Sequence, residues 1–157
     1  MPDENDDTTA TLRAFSNSDR DACLAVFDAN VPDAFSESER DEFAGFLDDL
    51  PGPYLVMEDG AGAVIGCGGH AFEADGMTAS LCWGMVRPER QGEGLGLKLL
   101  QARVEAAISD PRTRAIRLAT TVPVSGFFER SGFTVVERTP DGFAPGLDSV
   151  EMRWERD

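Results

Sequence analysis

Between Leu81 and Ile108 an apolar run, Leu81-Cys82-Trp83-Gly84-Met85-Val86, leads through Arg87-Pro88-Glu89-Arg90 and Gln91-Gly92-Glu93-Gly94-Leu95-Gly96 into a long amphipathic segment. A strand that enters a glycine loop at the start of a helix constrains this chain more than any other stretch. The first N–H groups of a helix have no acceptor within it and carry a partial positive charge, and glycines let a pyrophosphate approach the main chain. The stretch therefore predicts an anion site. Two common nucleotide frames do not fit it. Gly92-x-Gly94-x-Gly96 lacks the last spacing of G-x-G-x-x-G, and Lys98 is not placed as in G-x-x-x-x-G-K-[ST].

Around this stretch the chain reads as an α/β (α+β) fold with the order β-α-α-β-β-β-α-β-α-β-β. Residues 1–9 are acidic and expected to be disordered, which leaves 10–157 as a single domain. Thr11–Phe15 alternates as a strand does. Apolar spacing predicts helices over 19–31 and 36–50, the second opened by the capping-box pattern Ser36-x-x-Glu39. Strands at 54–58, 64–72 and 78–86 are separated by Asp59-Gly60 and Asp75-Gly76, both hairpin signals, and form an antiparallel meander. A helix over 90–108 carries the stripe Leu97, Leu100, Val104, Ala107 and Ile108. A strand at 115–120, a short helix over 123–131 ending at Gly132, and strands at 134–138 and 150–154 complete the sheet.

Composition narrows the function. The net charge is -15, with one lysine, Lys98, against thirteen arginines. Such a field repels phosphate backbones and anionic headgroups, so neither a nucleic acid nor a membrane is an expected partner. High-salt adaptation is the favoured origin of the acidity, and a GC-rich genome that writes Arg for Lys is the alternative. An acidic N-terminus and the lack of an apolar run of about 20 residues lead us to expect a soluble, cytoplasmic protein. Cys23, Cys67 and Cys82 are odd in number and far apart, which predicts buried free thiols and no structural metal.

Gln91-Gly92-Glu93-Gly94-Leu95-Gly96 fits the pattern Q/R-x-x-G-x-G/A, and Phe127-Phe128-Glu129-Arg130-Ser131-Gly132-Phe133 supplies a later aromatic-x-x-x-Gly-Phe signature. Together these resemble the GNAT superfamily of acyl-CoA-dependent N-acyltransferases. The resemblance implies a GNAT-like mixed, mostly antiparallel sheet flanked by helices, with acetyl-CoA or another acyl-CoA as co-substrate. By the same resemblance, Gly84, Met85 and Val86 offer backbone groups to pantetheine, and Gln91, Gly92, Glu93, Gly94, Leu95, Gly96 and Leu97 form the pyrophosphate loop. Phe128 packs near the thioether end. Arg87, Arg90 and Lys98 either add charge near the phosphates or are solvated surface residues. The implied acceptor is a primary amine, expected on a small molecule. A peptide acceptor, an acyl-CoA-binding module with little catalysis, and a homodimer are left open.

Acylation of an amine needs a base, and the departing thiolate needs a proton. Many members of the family place a tyrosine proton donor where this chain has Phe128, which has no hydroxyl. Ser125, on the same helical face, is a candidate substitute or a plain surface serine, and Tyr54, the one tyrosine, reads as core. The position at which some members carry a glutamate base is Ser80. If the Asp75-Gly76 turn pairs Glu73 with Thr78, then Glu73 shares a face with Ser80, Cys82 and Gly84, and His70 lies on the other. Glu73 is therefore the preferred base and His70 the second candidate, with the amine bound between Glu73 and the Phe127-Phe128 helix. Acceptor selectivity is expected in the early helices and in a loop at 140–148.

Overall fold

A computed structural model describes residues 10–32 and 35–157, so the expectation for residues 1–9 lies outside the described residues. Seven strands form one mixed sheet: β1 (Thr11–Ala14), β2 (Tyr54–Glu58), β3 (Val64–Phe72), β4 (Thr78–Val86), β5 (Ala115–Thr121), β6 (Thr134–Ala144) and β7 (Leu147–Glu155). Their order is β1-β2-β3-β4-β5-β7-β6. The helices are α1 (Arg20–Ala29), α2 (Arg40–Asp48), α3 (Leu95–Ile108) and α4 (Val122–Glu129). The element order and the mostly antiparallel sheet agree with the expected fold class. The contacts group the chain into two compact units, the chain through Ala71 with Cys82–Ala106, and Phe72–Leu81 with Ala107–Asp157.

In the first unit, side-chain alternation along the strands makes two cores. Tyr54, Val56, Cys67 and Met85 join Cys23, Val26, Phe27, Phe43 and Leu47 from α1 and α2. Met57, Ile65 and Val86, of opposite parity at 56/57 and 85/86, join Leu95 and Leu99 of α3. An aromatic cluster fills the first core, with Phe43 5.0 Å from Trp83 and Phe27 5.5 Å from Phe43, ring centre to ring centre. Truncation of such a buried phenylalanine to alanine costs about 3–5 kcal/mol. Ser36 and Glu39 form the expected capping box, in which the Ser36 N–H donates to Glu39 Oε1 at 2.9 Å. Ser16 and Asp19 repeat the motif before α1, a cap not anticipated from the sequence.

In the second unit β4 and β5 run parallel, with Thr78 opposite Ala115 and Ser80 opposite Arg117, and β5, β7 and β6 are antiparallel. Buried Ile116, Leu118, Phe133, Val150 and Met152 form its interior. α4 closes as expected at a left-handed Gly132 (φ 98°), with the Phe133 N–H returning to Phe128 O and the Gly132 N–H to Glu129 O.

Several expectations are corrected. α3 begins at Leu95, not at residue 90, because a 3-10 turn over Pro88–Arg90 and two left-handed glycines intervene. Its buried stripe is Leu95, Leu99, Leu100, Arg103 and Ala107, whereas Leu97 is exposed. An arginine on the apolar face displaced the stripe read from the sequence. Residues 140–148 are mostly a hairpin of β6 and β7 and not an irregular loop: Asp141 Oδ1 accepts the Gly146 N–H, and Asp148 Oδ1 the Asp141 N–H. Both glycine-containing hairpins use longer turns than two residues. Asp59 Oδ1 accepts the N–H groups of Ala61 and Ala63 in one, and Asp75 Oδ1 those of Met77 and Thr78 in the other.

Candidate active site

The β4 ladder is bracketed by two hydrogen bonds, Glu73 N–H to Thr78 O near the turn and Arg87 N–H to Ile65 O at the far end. One unbroken register cannot contain both, so β4 carries one more residue than β3 between them, which is a β-bulge. Trp83 marks it with φ 46°, a left-handed value costly for a side chain of that size. Two side chains hold the bulge. Tyr54 Oη donates to Trp83 O at 2.7 Å, and the buried Arg103 of α3 donates to Cys82 O and Gly69 O, each at 3.4 Å. Burial raises the Tyr54 phenol above its ordinary pKa, so it stays a donor. The residue after the bulge, Gly84, is the exposed one of β4, whereas Met85 and Val86 bury their side chains and present only backbone.

From Val86 the chain enters the glycine loop. The Gln91 side-chain amide donates to Val86 O at 3.3 Å and ties the loop to the strand. Gly92 (φ 88°) and Gly94 (φ 82°) adopt backbone that glycine takes without steric cost, and a Cβ on Gly92, Gly94 or Gly96 would meet no atom within 4 Å. The loop is therefore open on its outer side. Lys98 N–H to Gly94 O at 3.1 Å begins the α3 ladder, so the N–H groups of Leu95, Gly96 and Leu97 precede the helix's own bonds. Leu95 is buried, which anchors this end of the helix, while Gly94, Gly96 and Leu97 are exposed. These features fit a pyrophosphate on the loop: open main chain at Gly92, Gly94 and Gly96, and helix N–H groups that have no partner of their own among the described residues. The expected basic residues have other partners. Arg90 pairs with Glu93 at 3.2 Å and Asp59 at 3.5 Å, Arg87 with Glu89 at 3.6 Å, and Lys98 Nζ with Ala10 O. What the loop itself offers an anion is main-chain N–H groups.

The candidate proton-transfer residues lie in different units. In the second, Glu73 is opposite Thr78, as the sequence suggested, although the turn between them has four residues. An even count keeps the same face, and Ser80 Oγ donates to Glu73 Oε2 at 2.6 Å. Arg117 then bridges two carboxylates, Glu73 at 3.0 Å and Glu151 at 2.6 Å. Phe128 stacks edge-on with Phe127 at 5.2 Å and Phe133 at 6.0 Å, a packing role. The Ser125 hydroxyl donates to Val122 O at 2.8 Å within α4. In the first unit His70 is 3% exposed, and its backbone N–H donates to Pro53 O. Among the described residues no cluster of His, Cys, Asp or Glu could hold a metal ion.

Sequence reasoning missed the Arg103–Tyr54 support of the bulge. Its signal was present: Leu99, Arg103 and Ala107 recur at the spacing of one helical face.

A family model for the acetyltransferase (GNAT) domain matches residues 51–135, a span that contains β2 to β5, the loop and α4. The chain belongs to the GNAT acetyltransferase family. As a GNAT protein it is an acyl-CoA-dependent N-acetyltransferase by family, and solved structures extend the fold over nearly the whole chain. A Salmonella typhimurium protein solved with its cofactor acetyl-CoA is 23% identical, with TM-score 0.76 and 95% of either chain covered. The ribosomal-protein-S18-alanine N-acetyltransferase of Escherichia coli is 16% identical, with TM-score 0.78 and 94% of either chain covered. A mutant spermidine N-acetyltransferase of Vibrio cholerae is 18% identical, with TM-score 0.74 and 93% of either chain covered. No curated protein matches. At these identities the likeness establishes the GNAT fold.

Proposed function

We propose that this GNAT protein transfers an acetyl or other short acyl group from acyl-CoA to a primary amine on a small molecule. The observation that carries the proposal is the continuity of one strand and one loop: the bulge at Trp83, the exposed backbone of Gly84, and the left-handed glycines that open α3. Gly84, Met85 and Val86 would hold the pantetheine through main-chain groups, and Gln91 to Leu97 the pyrophosphate. The co-substrate supplies the activated acyl group. A net charge of -15 favours a cationic amine as the partner, because the field concentrates cations at the surface.

Glu73 is the favoured proton acceptor. It is half-buried, and its carboxylate is fixed by Ser80 and Arg117. His70 is the second choice, since its burial limits access to an incoming amine. The test is thiol release from acetyl-CoA over a panel of polyamines, amino acids and aminoglycosides in high salt. Turnover with at least one small amine supports the proposal, whereas acylation of peptide amines alone moves the acceptor class to proteins.

A second function, acyl-CoA binding with little catalysis, draws on three observations. Phe128 lacks a hydroxyl, the Ser125 hydroxyl is already donated within its helix, and both Glu73 oxygens already accept hydrogen bonds. Tight calorimetric binding of CoA with no turnover on any amine selects it.

A further inference from the structure

Arg103 is an arginine on the apolar face of α3, 8% exposed, with no carboxylate in salt-bridge range among the described residues. Desolvation presses its pKa down, yet a guanidinium remains a cation in a folded protein. A buried charge without a counter-ion is costly, so packing alone does not account for it. Its surroundings are shaped to it. A Cβ on Gly84 would overlap the guanidinium and come within 2.7 Å of Cζ, and a Cβ on Gly68 would lie 3.0 Å from Nε and 3.1 Å from Gly84 Cα. Two glycines therefore make the slot in which the guanidinium lies, against the inner side of β4.

The guanidinium's acceptors are the carbonyls that the bulge strands. With Gly68 against Gly84 on one side and Glu73 opposite Thr78 on the other, five residues of β4 (79–83) face four of β3 (69–72), and the left-handed Trp83 puts the irregularity at the Gly69 end. Arg103 Nε takes Gly69 O and its NH2 group takes Cys82 O, both at 3.4 Å, while Tyr54 takes Trp83 O. One rigid fork thus spans both strands at the point where their ladder slips. Lysine could not do this, because an ammonium is a single compact head, whereas a guanidinium presents donors in a plane.

We infer that Arg103 is a positioning residue for acyl-CoA: by bridging Gly69 and Cys82 it fixes the β4 bulge, so that the main chain from Gly84 to the Val86 N–H is held in place for the pantetheine, the Val86 carbonyl being taken by Asn30 and Gln91. This rests on the assignment of β4 as the pantetheine strand. Arg103 acts from the inner side and takes no part in proton transfer.

The test uses the full chain in a W154F background, in which Trp83 is the remaining tryptophan of the two and reports on the bulge by its emission. Acetyl-CoA affinity is measured by calorimetry for that parent and for R103M and R103K, alongside the thermal midpoint. R103M removes an uncompensated buried charge but leaves Gly69 O and Cys82 O without their donor, two effects of opposite sign, so its thermal midpoint should stay close to that of the parent. Both variants should bind acetyl-CoA about tenfold more weakly, the scale of one lost hydrogen bond to a charged group, with a shifted Trp83 emission. Should R103M fail to fold, R103K alone carries the test. Parental affinity in R103K, or affinity lost only in step with a fall in thermal midpoint, would overturn the inference and make Arg103 a packing residue. Absence of acetyl-CoA binding by the parent would instead overturn the assignment of the strand itself.

Discussion

At the residue scale, the informative groups are charges with defined partners. Glu73 accepts from Ser80 and Arg117, and its amide E73Q retains the shape while removing the proton-accepting charge. If Glu73 is the base, kcat should fall about 10²- to 10⁴-fold in E73Q with acetyl-CoA affinity unchanged; wild-type kcat would pass the role to His70 or to solvent. Asp19 makes a different kind of prediction. Arg13 grips it with two 2.8 Å hydrogen bonds and Ser16 N–H adds a third at 2.9 Å, which together outweigh its burial and hold its pKa down at about 2. In the unfolded chain the same carboxyl titrates near 3.9. The folded value is the lower one, so the stabilisation is complete above about pH 4 and drains away as pH falls toward 2. Because Arg13 is largely exposed, about 1 kcal/mol is a fair size for it. Urea titrations should show D19N less stable than wild type by that amount at pH 7 and converging with it near pH 2. A gap that persists at pH 2 would show that the ion pair is not its source.

At the element scale, β4 joins the fold to the chemistry, and its bulge depends on a neighbouring strand. Y54F deletes the donor to Trp83 O and leaves a carbonyl in a half-buried setting without its partner. A loss of about 1–3 kcal/mol in urea unfolding is expected, and no change would mean that another group satisfies that carbonyl. The positions of β2, β3 and β4 were legible from alternation and from the Asp-Gly turns, and α2 from its capping box, because those signals are local. What stayed illegible is non-local. The bulge arises from pairing between β3 and β4, and nothing in Cys82-Trp83-Gly84 alone announces a left-handed tryptophan. The start of α3 was set too early because the glycines that open it resemble, in sequence, a glycine-rich first turn. Residues 140–148 look like a loop, with Pro140, Gly142 and Gly146, yet extend a hairpin whose strands are fixed by Asp141 and Asp148. The partners of Arg87, Arg90 and Lys98 are likewise tertiary facts, which the sequence around the loop does not announce.

At the scale of the whole molecule, 29 acidic residues against 14 basic ones set the long-range field. The ion pairs of the first unit, such as Arg20–Asp48 and Arg40–Asp28, are exposed and contribute little each, so they do not offset the general repulsion. The thermal midpoint should therefore rise as KCl is increased from about 0.1 M to about 2 M, where the Debye length shrinks to about 3 Å or less. A midpoint insensitive to salt would favour genome composition over adaptation as the origin of the acidity. The proposed function hangs on the strand and glycine loop from Leu81 to Leu97. Gly94 stands at φ 82° in open space, so G94V does not clash with the fold but denies the loop its left-handed turn and fills its outer side. The decisive measurement is a calorimetric titration of wild type and G94V with acetyl-CoA. Saturable binding by the wild type, weakened about a hundredfold or more in a G94V protein of unchanged circular dichroism, is the predicted result. Equal affinity in the two proteins would contradict the assignment of this loop to the acyl-CoA pyrophosphate.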